Sequence, residues 1–190
     1  MPSPIVTFFL QHGPRIVCEL CPEAAPNTVR SFLHLARLGC YDHHALERLV
    51  PGYVADLSYT AFGRPEAKYL IPCEARAKGF PNPLRLTPGT IGMGGYENGI
   101  AGGECFFPLA EDPRLEYNYP AFGRVVEGLE EILRWNHLPV RDVPTHLGPG
   151  VRVAAPVEPI VFTRVEVETF GVDYPPPERL EGAVLPPNWA

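Results

Sequence analysis

The chain has 190 residues, 45% hydrophobic and 20% charged, with a formal net charge of -6 at pH 7. Length and balance fit one folded domain and exclude wholesale disorder, while an acidic chain without a Lys/Arg-rich run excludes a general nucleic-acid binder. No stretch is long and apolar enough to span a bilayer and the start, Met1-Pro2-Ser3-Pro4-Ile5, has no basic region followed by an apolar one, so a cytoplasmic protein with no membrane partner is expected. The 18 Gly and 24 Pro break up long helices and favour short strands joined by turns, which makes a mainly β class the first expectation.

In chain order, Pro4 to Leu10 and Arg15 to Leu20 are β-branched or aromatic runs separated by His12-Gly13-Pro14, a hairpin pattern. Val29, Phe32, Leu33 and Ala36 then recur at helical spacing, with Asn27 or Thr28 expected to cap the start and Gly39 to close the end. From Cys40 to Asp56 short apolar segments flank Pro51-Gly52, as in a tight hairpin. Ser58 to Pro88 is rich in Pro, Gly and charge and reads as an extended loop, long enough to suggest function. Three further strands are expected at Thr90 to Met93, Cys105 to Leu109 and Ala121 to Val126, then a second short helix at Gly128 to Trp135. Ile160 to Phe170 is the clearest strand, alternating Val165, Val167 and Thr169 against Glu166 and Glu168, so one face is buried and the other solvated. Residues 173–190 form a proline-rich tail, read as a plain extended terminus rather than a polyproline ligand.

Several small motifs carry little. Five cysteines cannot complete an internal disulfide framework. Cys18 and Cys21 have the spacing of half a zinc or redox pair, but no second pair follows, and residues three apart on a strand point to opposite faces. Gly92 to Gly95 lacks the Lys-Ser/Thr and the helix of a phosphate cradle, and His43, His44 and Glu97 are expected as solvated loop residues rather than ligands. No metal and no cofactor are expected.

Six segments in one order carry a resemblance. Ala25-Pro26-Asn27-Thr28-Val29, Leu46-Glu47-Arg48-Leu49-Val50-Pro51-Gly52-Tyr53-Val54 and Tyr69-Leu70-Ile71-Pro72-Cys73-Glu74 are followed by three more. These are Gly89 to Gly94, Gly103-Glu104-Cys105-Phe106-Phe107 and Phe122-Gly123-Arg124-Val125-Val126-Glu127-Gly128-Leu129. They resemble the cyclophilin signatures Ala-Pro-x-Thr-Val, Phe-His-Arg-Val-Ile-Pro-Gly-Phe-Met, Tyr-x-Ile-Pro-Asp-Glu, Gly-x-Leu-Ser-Met-Ala, Gly-Ser-Gln-Phe-Phe and Phe-Gly-x-Val-Val-x-Gly-Met, over roughly Pro4 to Glu168.

The resemblance implies a closed antiparallel eight-stranded barrel with two short helices over residues 1–172, the tail occupying 173–190. It further implies a monomeric peptidyl-prolyl cis-trans isomerase, divergent and bacterial, that acts on Xaa-Pro-containing polypeptides to assist protein folding. Arg48 takes the place of the catalytic arginine. Tyr53, Val54, Phe107 and Leu115 are placed around the proline ring, with Tyr119 where many relatives carry His. Gly94 and Gly95 stand where backbone holds the peptide, and Cys105 stands at the Gln before Phe-Phe.

The departures matter for chemistry. Leu46-Glu47 replaces Phe-His, Val54 replaces the larger Met, Arg114 replaces a Trp associated with cyclosporin binding, and Asp56 replaces a Gln near the arginine. A carboxylate at that point is positioned to pair with Arg48 and compete for its donors. Two functions other than isomerisation are therefore on the table: a proline-peptide binding module of the same fold with little turnover, and a small-molecule carrier. The second is disfavoured because a barrel of about eight strands is normally filled by its own side chains.

Overall fold

The computed structural model describes residues 2–58, 61–144 and 150–189, so Tyr59 and Thr60, within the expected long loop, lie outside the described residues. Alternating β-branched and aromatic residues form β1 (Ile5–Leu10), which pairs with β2 (Ile16–Leu20) on one side and β12 (Val161–Glu168) on the other. Val6 and Phe8 point inward opposite Val167 and Val165. A register shift between Phe9 and Leu10 lets Phe162 turn inward as well as Val165, breaking the strict two-residue period. The final strand stops at Glu168, short of the expected Phe170, which is exposed in a turn at positive φ.

The remaining strands are β3 (His44–Ala45), β4 (Arg48–Val50), β5 (Val54–Asp56), β6 (Leu70–Ile71), β7 (Thr90–Tyr96), β8 (Gly99–Pro108) and β9 (Ala121–Glu127), with β10 (Val140–Pro144) and β11 (Arg152–Pro156) as a separate hairpin. The main sheet has ten strands in the order β3-β12-β1-β2-β9-β7-β8-β5-β4, β6 pairing with β8 off this path. The expected closed eight-stranded barrel is not what forms. The sheet is open and strongly curled, because residues 44–50 serve both its rims instead of pairing along their length with one neighbour. His44–Ala45 joins β12 and Arg48–Val50 joins β5, while between them the Leu46 N–H reaches the Ile160 carbonyl and the Glu47 N–H the Asp56 carbonyl.

Three α-helices are found among the described residues where two were expected: α1 (Pro26–Arg37), α2 (Pro113–Asn118) and α3 (Leu129–Arg134). The additional α2 starts on local chemistry, Asp112 accepting from the Arg114 N–H and Pro113 filling the first helical position. At α1, Asn27 and Thr28 lie inside the first turn and do not cap it. The Glu74 carboxylate, from the long loop, accepts from the Asn27 and Thr28 N–H groups and from the Thr28 hydroxyl at 2.8–2.9 Å. Gly39 closes the helix as expected, at φ 66° with its N–H on the Ala36 carbonyl.

The core lies between α1 and the concave sheet. Phe8 sits at its centre, with ring centroids of Phe32, Phe107 and Phe162 at 5.9–6.1 Å, and Trp135 packs beyond Phe107. No helix among the described residues is long and apolar enough to cross a membrane.

Candidate functional site

Antiparallel register decides which side chains face outward. Across β4, β5, β8, β7 and β9, Arg48 lies opposite Asp56, Asp56 opposite Phe106, Phe106 opposite Gly92 and Gly92 opposite Ala121. Directly opposed residues share a face, so this row forms one continuous strip. The neighbouring row, Leu49, Ala55 and Phe107, turns into the main core. Gly92 is required by close approach: a Cβ there would lie 2.7 Å from Leu86 and 2.9 Å from the Phe106 ring.

On the strip, Val54, Phe106, Leu115, Ala121, Leu84 and Leu86 form a second apolar cluster, against which Tyr53 and Tyr119 pack. Phe106 and Tyr119 meet edge to face at 5.8 Å. The cluster floors a cavity of about 320 Å³ bordered by Arg48, Asp56, Ser58, Gly94, Gly95, Tyr96 and Glu104. The long loop is thus no loose connection. Asn82, 4% exposed, donates to the Ala121 and Glu74 carbonyls and accepts from the Leu84 N–H, which delivers Leu84 and Leu86 to the cluster. Glu116, bonded to Arg76 and Arg85, ties α2 and hence Leu115 to the same loop. The turn between β4 and β5 is pinned by Asn136, which accepts from the Gly52 N–H at 2.7 Å and donates to the Leu109 carbonyl.

The charged end holds one short ion pair. Arg48 Nη1 is 2.8 Å from Asp56 Oδ2, and the guanidinium carbon lies 5.8 Å from the centre of the Tyr53 ring. Burial pushes the Asp56 carboxyl up to about 6, against the opposing pull of the Arg48 charge. Glu104, 5% exposed, accepts from Tyr96 and Trp189 on its Oε1. Ser58 is 1% exposed, and no hydrogen-bond partner for its hydroxyl is found among the described residues.

Of the residues named from sequence, Arg48, Tyr53, Val54, Asp56, Gly94, Gly95, Leu115 and Tyr119 come together on this cavity. Cys105 and Phe107 do not. Both are fully buried on the opposite face of β8, Phe107 against Phe8 and Trp135, and burial pushes the Cys105 thiol up. Phe106 and Glu104 line the cavity in their stead. The sequence held a signal for this: shifting Gly-Ser-Gln-Phe-Phe by one residue, onto Gly102 to Phe106, sets polar Glu104 against the Gln and leaves apolar Cys105 inside. Cys18 and Cys21 fall in separate apolar clusters, and no three His, Cys, Asp or Glu side chains gather into a metal-binding group among the described residues.

The profile described as "Cyclophilin type peptidyl-prolyl cis-trans isomerase/CLD" matches residues 5–167. The chain belongs to this cyclophilin family. Among curated relatives, peptidyl-prolyl cis-trans isomerase B of Bacillus subtilis is 35% identical over 126 residues, 65% of this chain and 84% of that protein. The isomerase CYP23 of Arabidopsis thaliana is 28% identical over 136 residues, 70% of this chain and 60% of that one. Of solved structures, a Cryptosporidium parvum cyclophilin type isomerase superposes with a TM-score of 0.67 at 16% identity, covering 88% of this chain and 98% of that one. The same Cryptosporidium protein was also solved in the presence of the dipeptide ala-pro, with a TM-score of 0.66. In this cyclophilin the strip from Arg48 to Ala121 occupies the outer side of the curled sheet, apart from the main core.

Proposed function

We propose that this cyclophilin catalyses rotation about Xaa-Pro bonds in the cavity, with Arg48 stabilising the twisted amide. The C–N resonance sets a barrier of roughly 18–20 kcal/mol, while the end states differ by only about 0.5–1 kcal/mol. No bond is broken, so no nucleophile, metal or acid/base pair is called for. At the twist the prolyl nitrogen recovers its lone pair, and a donor bound more tightly to that state than to either planar form lowers the barrier. A guanidinium is permanently charged and rigidly forked, which suits the task.

The observation that carries this reading is the strip itself: one cationic donor at the rim of an apolar floor whose cavity fits a proline ring and its neighbours. The cavity's lining residues lie between Arg48 and Tyr119, inside the stretch 1–172, and we read the protein as acting as a monomer. The expected substrates are Xaa-Pro segments of unfolded or flexible polypeptides.

The test is isomerisation of an Xaa-Pro peptide panel, followed by protease coupling or exchange spectroscopy. Arg48→Ala is expected to lower kcat/KM by about a hundredfold, the scale of losing one transition-state donor. Because that change leaves buried Asp56 without its cation, Arg48→Ala combined with Asp56→Asn serves as the stability-matched control. Equal rates for wild type and both variants sink the proposal.

The Arg48–Asp56 pair favours a second reading, a proline-peptide binder with slow turnover. Under it, Asp56→Gln raises the rate by releasing the guanidinium. A rate unchanged or lowered by Asp56→Gln removes this reading.

A further inference from the structure

The proline-rich segment after β12 does more than trail away. It runs back over the outer end of β8: the Glu178 N–H bonds to Asn27, Arg179 lies 3.9 Å from the centre of the Tyr69 ring, and the Leu180 N–H bonds to the Leu70 carbonyl at 2.8 Å. Beyond it, Asn98 in the β7–β8 turn donates to the Val184 carbonyl. The segment then delivers Trp189, only 3% exposed, against Tyr96, their rings edge to face at 5.4 Å. Trp189 Nε1 donates to Glu104 Oε1 at 3.1 Å, and the Tyr96 hydroxyl bonds the same oxygen at 3.0 Å.

Glu104 and Tyr96 border the peptide cavity; Trp189 does not. We infer that Trp189 is a positioning residue for peptide binding, acting through Glu104. The inference rests on the cavity being the peptide site, as proposed above. The physics lies in the asymmetry of the two donors. Tyr96 is a neighbour of Glu104 in the β7–β8 hairpin, whereas Trp189 arrives from 85 residues away and is held by the tail's own contacts. Two donors on one carboxyl oxygen fix the rotation of the group at the cavity wall. A carboxylate fixed in this way spends less conformational freedom when a peptide donor binds it. Docking of the tail therefore raises affinity for substrate while leaving the rotation step, which belongs to Arg48, unchanged.

Two measurements test this. In the isomerase assay, Trp189→Phe keeps an aromatic ring and removes the N–H; it is expected to raise KM by about fivefold with kcat unchanged. In a Glu104→Ala background, which removes the shared acceptor, the same change is expected to add much less than fivefold, because its effect passes through Glu104. The second readout is the indole N–H resonance. The chain has 2 Trp, and Trp135, bonded to Glu131 in the core, is an internal reference. On titration with an Ala-Pro-containing peptide the Trp189 indole signal is expected to shift with saturation while that of Trp135 stays. A KM unmoved by Trp189→Phe, or a Trp189 signal that ignores bound peptide, overturns the inference even if the enzyme is active. A shifting Trp189 signal without turnover upholds it and removes the isomerase reading instead.

Discussion

The two faces of β8 carry similar side chains one residue out of step, and they serve different ends. Cys105 and Phe107 point into the core between the sheet and α1, both at 0% exposure. Glu104 and Phe106 point outward, yet at 5% and 2% they are nearly as buried. Exposure alone does not separate a structural aromatic from one that floors a site. What separates them is the far side of the ring: Phe107 meets Phe8 and Trp135, whereas Phe106 meets Tyr119 and then an open cavity.

The comparison breaks most sharply on stability. Phe107→Ala leaves a void that its packed neighbours cannot fill, and is expected to destabilise by about 3–5 kcal/mol. Phe106→Ala opens onto a cavity that water enters, so it is expected to cost roughly half as much. Chemical denaturation of the two variants checks the ordering, and equal losses would erase the distinction between the faces. Function is expected to reverse the ranking. In Phe106→Ala the peptide KM is expected to rise about tenfold, the scale of losing most of one buried aromatic contact, as read by isomerisation at saturating and subsaturating peptide. In whatever fraction of Phe107→Ala stays folded, KM is expected to be near that of wild type.

The smallest effects come from Asp56, on the same strip as Phe106. Its carboxyl titrates near 6, above the ordinary 3.8, because burial outweighs the Arg48 charge. The folded state therefore holds this proton more tightly than the unfolded chain does. Its contribution to stability is complete below about pH 4 and is lost as pH rises through 6. Protonation also neutralises the partner of Arg48, so under the second reading kcat/KM is expected to rise a few-fold as pH falls through about 6, and under the first to stay level. A profile of Asp56→Asn that keeps this rise would assign it to another group.

Much of this was legible before any coordinates. β1, β2, the turn at Gly52, α1, α3 and the alternation of β12 follow from periodicity and turn residues, and eight of the ten residues named from the resemblance line one cavity, three of them in the Arg48 segment itself. What escaped has identifiable causes. Matching the Phe-Phe pair letter for letter set β8 one residue out of register, and a one-residue slip exchanges the two faces of a strand. β10 is exposed along most of its length and β11 is mostly half-buried, and neither offers a buried-exposed alternation to read. Residues 44–50, read only as short apolar segments ahead of the Pro51-Gly52 turn, divide between two partners, a property of the curled sheet rather than of the segment. The cap of α1 by Glu74 and the anchoring of Glu104 by Trp189 join residues 46 and 85 positions apart, beyond the reach of any local pattern.

The division of residues 44–50 has a further consequence. The rims of the sheet, β3 and β4, are two and three residues long. A long unpaired rim is a template on which another extended chain can stack by backbone bonding, the first step of aggregation. The expected clients, unfolded or flexible segments, would find little backbone to extend at the rims of this main sheet. They are offered side chains to grip and release in place of an edge to join.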